Sequence, residues 1–311
     1  MTLKTQNGRT ISPIQPKTDA SDIRVICSNV FVFAFSRVAH IVTPEDKEAH
    51  ADLLANTISG VDADVILLQE MSGGIINYKG KDIDFDWQGR LWPRLEKNGY
   101  SQVPVELARI PQSCIDAGCP LGINYTPIAY KDELLDLKDY GHKFYDTIAI
   151  NPDAYLSASK SYTWALFEVK ATGKKFVAIS THFTYHGNPT IANECRISDA
   201  KELILCLDMI EEKYPGTPVV LMGDLNCPQD SEPYRIVAER FINAKDLAAE
   251  IYNGHLATCH RFGQFPNTGK PIDHALVSPE GFDVKLHQVM ANNDTVNMTD
   301  HLPVGIDLEI L

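Results

Sequence analysis

A carboxylate and an amide stand two residues apart where an apolar run of this sequence stops. The run Val219–Met222 holds four apolar residues, two of them β-branched, which predicts a buried strand. Gly223 ends the run, Asp224 and Asn226 follow, and Pro228 prevents further strand pairing. Ligands bind outside the carboxyl ends of strands in an open sheet. The Asp224 carboxylate, as an acceptor, could therefore orient a water there, and the Asn226 amide, as a donor, could hold an oxyanion. The same residues also favour a surface turn, and the motif alone does not decide between the two interpretations.

Other strand-like runs also carry a polar residue of catalytic type at one end. Asn29 lies near the end of the first predicted strand, Ile23–Val30, and Glu70 closes the next one, Asp64–Glu70. Each of these residues alone is compatible with a solvated or structural role. Because such residues recur at strand ends along one chain, we predict that they share one site. The set is Asn29, Glu70, His182, Asp224, Asn226, Asp273, Asp300 and His301.

Capping residues mark the helices that would flank these strands. Thr43 precedes a proline and two acidic residues, which predicts a helix start, and Gly60 predicts its end. Apolar residues at helical spacing predict a long amphipathic helix across Ala200–Ile210, with Arg196 near its start. Ser231 before Glu-Pro predicts the start of a further helix.

Two hairpins are predicted in the middle of the chain. Trp164–Val169 and Phe176–Ser180 flank a Gly-containing turn, and Thr126–Tyr130 with Leu134–Leu137 form the second candidate. Alternating apolar residues in Val304–Ile310 predict a half-buried antiparallel strand.

The stretch from residue 72 to residue 122 is rich in Gly, Pro and aromatic residues and lacks a clear period. Because long irregular loops in compact domains are usually functional or disordered, we expect this loop to form part of a substrate rim. It contains Cys114 and Cys119, which could pair, although an odd and dispersed set of seven cysteines favours reduced thiols. Zinc is not expected, because no Cys-Xaa-Xaa-Cys occurs.

The composition limits the possible partners. The 311 residues can bury a large core, and the 44% hydrophobic content is ordinary for a globular chain. Acidic residues outnumber basic ones by 41 to 28, which gives a net charge of −13. Because duplex binding depends on Lys and Arg neutralising phosphates, long duplex DNA is not a favoured partner.

The chain is expected to be a soluble cytoplasmic monomer. Residues 1–22 are polar and lack the apolar centre of a signal peptide, so the expectation holds unless such a segment was removed. The longest fully apolar stretch, Val30–Phe35, is far too short to span a bilayer, and no membrane anchor is predicted. We predict a loose lead-in over residues 1–22 and a single domain over residues 23–311.

Taken in order, the motifs resemble the endonuclease/exonuclease/phosphatase superfamily, and this resemblance extends from Ile23 to Leu311. It implies an α+β fold, the four-layer α/β/β/α sandwich of two packed mixed β-sheets that is called DNase-I-like. Its site would lie at one end of the sandwich. The matching strings are SNV at 28–30, LLQEM at 67–71, STHF at 180–183, GDLNCP at 223–228, IDHALVS at 272–278 and TDHLPV at 299–304.

The resemblance also implies a metal and roles for the site residues. Glu70 would be the principal ligand of Mg²⁺, which Mn²⁺ could replace, with Asn29 and Asp300 near the ion. Such sparse oxygen ligation suits Mg²⁺, which keeps several waters and accepts substrate phosphate as a ligand.

The remaining motif residues would act on the phosphate. Asp224 would orient or deprotonate the attacking water, and Asn226 would hold that water or a phosphate oxygen. His301, paired with Asp273, would contact the scissile phosphate, and His182 would act on the phosphate or leaving-group side. An imidazole whose second nitrogen is fixed by a carboxylate has a defined tautomer and a raised pKa.

Three further residues are candidates for substrate or phosphate binding. His274 stands where many relatives have an aromatic residue such as Tyr, and it is expected to contact substrate. Arg196 and His260 match positions that resemble phosphate or leaving-group contacts in a bacterial branch of the superfamily. A structural role for either residue is an equal alternative.

The sequence therefore predicts a Mg²⁺-dependent hydrolase of phosphate esters, a phosphodiesterase or phosphatase with a small or single-stranded substrate. A DNA or RNA nuclease is the first alternative, and a catalytically silent module that binds phosphate ligands is the second. A lipid phosphodiesterase would need an exposed apolar loop, for which Trp87 and Trp92 are the candidates.

Overall fold

The computed structural model describes most of the chain. Cys114 and Cys119, whose pairing the sequence leaves open, lie outside the described residues, as do most of Val30–Phe35 and the second part of the predicted rim loop. The described residues are 3–4, 10–30, 43–73, 75–78, 81–84, 86–105, 124–157, 159–260 and 269–311.

Strands are the dominant elements of these residues. They are β1 Leu3–Lys4, β2 Thr10–Ile11, β3 Ile23–Asn29, β4 Val65–Gln69, β5 Met71–Ser72, β6 Ile75–Tyr78, β7 Lys81–Asp84, β8 Ser101–Gln102, β9 Asn124–Tyr125, β10 Ile128–Tyr130, β11 Leu135–Phe144, β12 Ser161–Val169, β13 Lys175–His182, β14 Val219–Asp224, β15 Ile242–Asn243, β16 Glu250–Tyr252, β17 Asp273–Val277, β18 Phe282–Val289 and β19 Val304–Ile310.

Helices in the described part of the chain connect and cover the strands. They are α1 Pro44–Ser59, α2 Trp87–Lys97, α3 Thr147–Ile150, a 3₁₀ helix at Pro152–Ser157, α4 Pro189–Lys213, α5 Glu232–Ala238, α6 Ala244–Leu247 and α7 Asn293–Met298. Within the described residues, none of these helices combines the length and the apolar character that crossing a membrane requires.

The strands form two large mixed sheets. The first has seven strands in the order β16-β18-β19-β3-β4-β10-β8, and the second has six in the order β11-β12-β13-β14-β17-β15. Most neighbours are antiparallel, but β3 runs parallel to β4, β13 runs parallel to β14 and β16 runs parallel to β18. The β3–β4 and β13–β14 pairs matter for function, because their carboxyl ends meet at one end of the molecule.

Strand alternation sends side chains to separate apolar layers. Between the sheets, Val25 of the first sheet shares one cluster with Met222 of the second. On the outer face of the first sheet, Ile26 packs in a second cluster with Leu54 of α1 and with residues of α2. On the outer face of the second sheet, Leu221 packs in a third cluster with residues of α4 and α5. The order helix, sheet, sheet, helix confirms the predicted α/β/β/α sandwich.

Several sequence predictions of single elements are confirmed. The Thr43 side chain accepts a hydrogen bond from Asp46 N at 3.1 Å, which completes a capping box at the start of α1. The hairpin of β12 and β13 and the long helix α4 are present, and Ser231 caps α5.

The predicted pairing of Thr126–Tyr130 with Leu134–Leu137 is wrong. The first segment becomes β10, which pairs with β4 and β8, and the second becomes part of β11, which pairs with β12 in the other sheet. The turn between them therefore carries the chain from one sheet to the other. Turn residues indicate a reversal of the chain, but they do not indicate which sheet receives the next strand.

The first part of the predicted irregular loop is also more regular than expected. It contains β5–β8 and the helix α2, which Asp86 caps by accepting a hydrogen bond from Gly89 N. Trp87 and Trp92 are buried on the inner face of α2. They therefore do not form the exposed apolar loop that a lipid phosphodiesterase would need.

The antiparallel strand β19 is more buried than the predicted half-buried strand. Its alternating apolar residues face the second sheet, and on the other face Asp307 is buried beneath Arg24 and Thr18, whereas Glu309 is exposed. The described part of the predicted lead-in is docked onto the domain. Ser12 N donates to Asn253 Oδ1 at 2.8 Å, and Thr18 N donates to Asp307 Oδ2 at 2.8 Å.

Candidate functional site

Strand direction and register bring the predicted residues to one edge of the sandwich. The parallel strands β3 and β4 end together, with Asn29 opposite Gln69 and Glu70 next in the chain. In the second sheet, His182 lies opposite Asp224 at the ends of β13 and β14. The antiparallel strand β17 begins at this edge with Asp273 opposite Asp224, and Asp300 and His301 precede β19.

Asp224 links the two sheets. Asn29 Nδ2, from the first sheet, donates to Asp224 Oδ2 at 3.1 Å, and His182 Nε2, from the second, lies 3.2 Å from the same oxygen. Burial alone would raise the pKa of Asp224, but a hydrogen bond with His182 and the charge of His301 lower it below its ordinary value. The side chain is therefore a carboxylate at neutral pH.

His301 and Asp273 form a buried pair. His301 Nδ1 lies 2.8 Å from Asp273 Oδ2, and His301 Nε2 lies 3.9 Å from Asp224 Oδ2. Burial lowers the pKa of His301, but the charge of Asp273 and its hydrogen bond raise it well above the ordinary value. The ring is thus an imidazolium at neutral pH, and its Nε2 side faces Asp224.

Two site residues adopt a backbone conformation that is uncommon for residues other than glycine. Glu70 has φ of 60° and Asn226 has φ of 51°, both in the left-handed region. Asn226 N donates to Asp224 Oδ1 at 2.7 Å, and Asn226 Nδ2 donates to Phe183 O at 2.9 Å and lies 3.0 Å from His182 Nε2. Strained residues of this kind cluster at functional sites, where the surrounding contacts maintain them.

Lys160 is a site residue that the sequence reasoning missed. Its buried Nζ donates to Glu70 Oε1 at 3.2 Å and to His182 Nε2 at 2.9 Å. Burial raises the pKa of Glu70, but the positive charge around it, that of Lys160 foremost, outweighs this and lowers it. Burial and the charge of Lys160 lower the pKa of His182, which keeps that imidazole neutral.

The carboxylates of the site fit a divalent cation. Burial raises the pKa of Asp300 to about 6, and the negative charges of Glu70 and Asp224 add to the increase. Within the described residues, Asp300 Oδ1 is buried without a hydrogen-bond donor. An unsatisfied acceptor among like charges is what a hard cation with oxygen ligands would stabilise.

Arg196 lies on α4, behind the loop that follows His182. Its Nε donates to Thr184 O at 2.7 Å, and its charge interacts with Asp224. Among the described residues, no carboxylate forms an ion pair with its guanidinium, although its charge interacts with Asp224 and Asp199 at longer range.

His274 and His260 are less suited to substrate contact than expected. His274 is buried, its Nε2 lies 2.8 Å from Cys227 O, and its ring packs against Tyr234 with a centroid distance of 4.8 Å. His260 is fully buried, and its backbone N donates to Asp300 O at 2.7 Å. Burial and the nearby His301 lower the pKa of His260 to about 4. These positions favour a structural role for both residues.

A model of the endonuclease/exonuclease/phosphatase family matches residues 28–301 of the chain. No curated protein matches the sequence significantly.

Solved structures with the same architecture include three informative ones. An endonuclease/exonuclease/phosphatase from Bacteroides vulgatus has a TM-score of 0.66 and 23% identity, covering 93% of this chain and 99% of that chain. A mannosyl-6-phosphatase from Bacteroides thetaiotaomicron has a TM-score of 0.67 and 18% identity, covering 93% and 100%. TDP2 from D. rerio, complexed with a single-strand DNA product, has a TM-score of 0.60 and 14% identity, covering 93% and 99%. Because the sequence identities are 23% or lower, these structural similarities establish that the fold is shared.

Proposed function

Because the chain belongs to the endonuclease/exonuclease/phosphatase family, whose members hydrolyse phosphoester bonds, we propose that it is a Mg²⁺-dependent phosphate-ester hydrolase. Its substrate is a small or single-stranded phosphorylated molecule. The net charge of −13 supports this choice over long duplex DNA. The structural similarity to a mannosyl-6-phosphatase and to a protein bound to a single-strand DNA product is consistent with both substrate forms.

The observation that carries the proposal is the set of contacts around Asp224. Asn29 and His182 approach one of its oxygens from the two sheets, and the imidazolium of His301 lies 3.9 Å away. A carboxylate, a neutral imidazole and a cationic imidazole thus surround one point. Phosphoryl transfer requires positioning of a nucleophile and neutralisation of phosphate oxygens, and this arrangement supplies groups for both.

Asp224 and Asn226 act on the water. Because the pKa of Asp224 is low, its carboxylate orients the attacking water by accepting a hydrogen bond and is a weak base at neutral pH. Asn226 holds the neutral ring of His182 through its Nδ2 and offers its Oδ1 to the same water.

Cationic side chains act on the phosphate. His301, held by Asp273, and the ammonium of Lys160 neutralise charge that develops on the phosphate oxygens. His182 lies between Asp224 and Lys160 on the leaving-group side, where its neutral ring can hydrogen-bond the leaving oxygen. Arg196 binds a further anionic group of the substrate, close to the leaving group.

Glu70, Asn29 and Asp300 are the residues that would hold Mg²⁺, or Mn²⁺ in its place. The bound ion would supply electrostatic stabilisation of the phosphate oxygens. The residues themselves favour such a cation, since Asp300 is buried close to two other carboxylates.

The test compares hydrolysis of bis-p-nitrophenyl phosphate and p-nitrophenyl phosphate, with Mg²⁺ or EDTA. The proteins are the wild type, Asp224→Asn and the matched control Asp230→Asn, which removes an exposed carboxylate from the same loop. We expect EDTA to abolish hydrolysis and Asp224→Asn to reduce kcat by at least about 10²-fold, with Asp230→Asn unaffected. Equal activity of Asp224→Asn and wild type would refute the site.

The preferred ester then separates the substrate classes. Diester cleavage would indicate a phosphodiesterase or a nuclease, and monoester cleavage would indicate a phosphatase. If neither ester is cleaved but calorimetry detects metal-dependent binding of inorganic phosphate, the silent binding module is the correct alternative.

A further inference from the structure

Cys259 lies beside the catalytic residues Asp300 and His301. One donor atom from each of these three side chains lies within 4.8 Å of the other two. Backbone pairing holds them together, because Cys259 forms an antiparallel bridge with His301. His260 N donates to Asp300 O at 2.7 Å, and Leu302 N donates to Thr258 O at 2.7 Å. The cluster is therefore fixed by the fold and does not depend on the chance positions of long side chains.

The donors of this cluster differ in kind from those of the proposed Mg²⁺ site. A thiolate, an imidazole and a carboxylate are the ligands of Zn²⁺, whereas Mg²⁺ prefers oxygen ligands alone. Donors around a tetrahedral Zn²⁺ lie about 3.5 Å apart, so side-chain rotations of about 1 Å suffice to close the cluster around an ion. No Cys-Xaa-Xaa-Cys motif indicates this site in the sequence, because pairing of distant segments forms it.

The surroundings of the cluster also suit a metal. His301 Nδ1 is bound to Asp273 at 2.8 Å, and its Nε2 lies 4.0 Å from Asp300 Oδ1. A carboxylate on the second nitrogen is the usual orienting partner of a histidine ligand. Cys259 is partly exposed, whereas Cys27, Cys195, Cys206 and Cys227, the other cysteines of the described residues, are buried.

We propose that Cys259, Asp300 and His301 form a second cation site that is specific for thiophilic divalent ions such as Zn²⁺ and is inhibitory. An ion held there takes Asp300 away from the catalytic cation and takes the His301 nitrogen away from the phosphate. Binding at this site does not depend on the proposed hydrolase activity, whereas the inhibition does.

Binding is tested with Zn²⁺ by calorimetry and with Cd²⁺ by its thiolate charge-transfer absorption in the ultraviolet. The proteins are the wild type, Cys259→Ser and the control Cys206→Ser, which removes a buried thiol of α4 far along the chain from the cluster. We expect the Cd²⁺ absorption in the wild type and the control but not in Cys259→Ser, with Zn²⁺ bound at least about 10-fold more weakly by that variant. The Kd of Mn²⁺ should change by less than about twofold, because Mn²⁺ prefers oxygen donors. Equal Zn²⁺ affinity of Cys259→Ser and wild type would overturn the proposal.

Alkylation of the wild type gives a second measurement that does not depend on a folded variant. Iodoacetamide labelling followed by peptide mapping measures the alkylation rate of Cys259 separately from that of the other cysteines, including Cys114 and Cys119. We expect saturating Zn²⁺ to slow the labelling of Cys259 by at least about 10-fold, since the metal-bound thiolate is withdrawn from reaction. Labelling at the same rate with and without Zn²⁺ would contradict the site.

Inhibition is measured as hydrolysis of the preferred ester in millimolar Mg²⁺ with added micromolar Zn²⁺. We expect Zn²⁺ to inhibit the wild type and Cys206→Ser strongly, and to inhibit Cys259→Ser only at roughly 10-fold higher concentration. Zn²⁺ that binds through Cys259 without inhibiting would refute the inhibitory role alone. If no ester is hydrolysed, the proposed function fails, and the binding measurements still decide whether the site exists.

Discussion

His301 Nδ1 lies 2.8 Å from Asp273 Oδ2, and this contact joins the start of β17 in one sheet to the residue that precedes β19 in the other. Asp273 is itself held, since its backbone N donates to Thr258 Oγ1 at 3.1 Å. The pair therefore sets both the orientation and the charge of the imidazole. Two residues 28 positions apart in sequence thus act as one group.

Asp273→Asn tests this coupling. Asp273 raises the pKa of His301 well above its usual value, so its neutralisation should lower that pKa. We expect kcat/KM at neutral pH to fall on the order of 10²-fold and the alkaline limb of the pH–rate profile to move to lower pH, because the imidazolium is lost earlier. Asp283→Asn on the exposed end of β18 is the matched control. An alkaline limb that stays in place would show that His301 does not need its charge.

Lys160→Met separates metal binding from substrate binding. The ammonium lies 3.2 Å from Glu70 Oε1, so its removal should make the carboxylate a stronger ligand for Mn²⁺. The same change removes the ammonium that would neutralise the bound phosphate, so the KM for substrate should rise by roughly 10-fold. Calorimetry measures the first effect and steady-state kinetics the second, with exposed Lys201→Met as the control. Weaker Mn²⁺ binding in Lys160→Met would contradict this role.

The sequence predicts the acidic and histidine residues of the site well because each follows or precedes a recognisable strand. Asp224 follows a buried apolar run, and Glu70 closes another, so the sheet edge could be inferred from hydrophobic pattern alone. The resemblance of the motifs predicts the four-layer order, and the three separate apolar clusters confirm it.

Lys160 could not be found in this way, because the predicted strand begins at Trp164, whereas β12 begins at Ser161, directly after Lys160. Its position depends on β12 running antiparallel to β13, where Tyr162 lies opposite Thr181. Because a hairpin places the start of its first strand beside the end of its second, the predicted hairpin indicates that residues before Tyr162 lie near His182. The helix α2 was missed for another reason, since Pro93 lies within it and interrupts the helical signal.

Asp199→Asn tests a buried carboxyl group beneath the loop that leads out of the site. Asp199 Oδ2 accepts a hydrogen bond from Thr184 N at 2.8 Å, and burial raises the pKa of the group to about 7. The folded protein therefore holds a proton that the unfolded chain releases near pH 4, so this group makes stability fall as pH rises from about 4 to about 7. Across this pH range, titration of Asp199 lowers the free energy of unfolding by an amount on the order of 4 kcal/mol.

Urea denaturation at pH 5 and pH 8 measures this effect. We expect the wild type to lose stability between pH 5 and pH 8 through this group, whereas Asp199→Asn does not, because the amide carries no titrating proton. The stability of the variant relative to the wild type should therefore be higher at pH 8 than at pH 5. Asp208→Asn, an exposed position on the same helix, should keep the pH dependence of the wild type. Parallel pH profiles for Asp199→Asn and wild type would show that this carboxyl group does not titrate in that range.

Gly223→Ala tests the packing that places Asp224. Gly223 has φ of 155°, and a Cβ at this position would lie 1.9 Å from Thr181 O of the neighbouring strand. Because β13 and β14 are paired in parallel with Thr181 opposite Gly223, only a shift of one strand could make room. We expect a loss of about 3 kcal/mol in the free energy of unfolding, measured with urea, and a loss of activity as Asp224 moves away from His182. Gly187→Ala, where a Cβ meets nothing within 4 Å, should be neutral. If the two variants are equally stable, the close approach of these strands does not fix the position of Asp224.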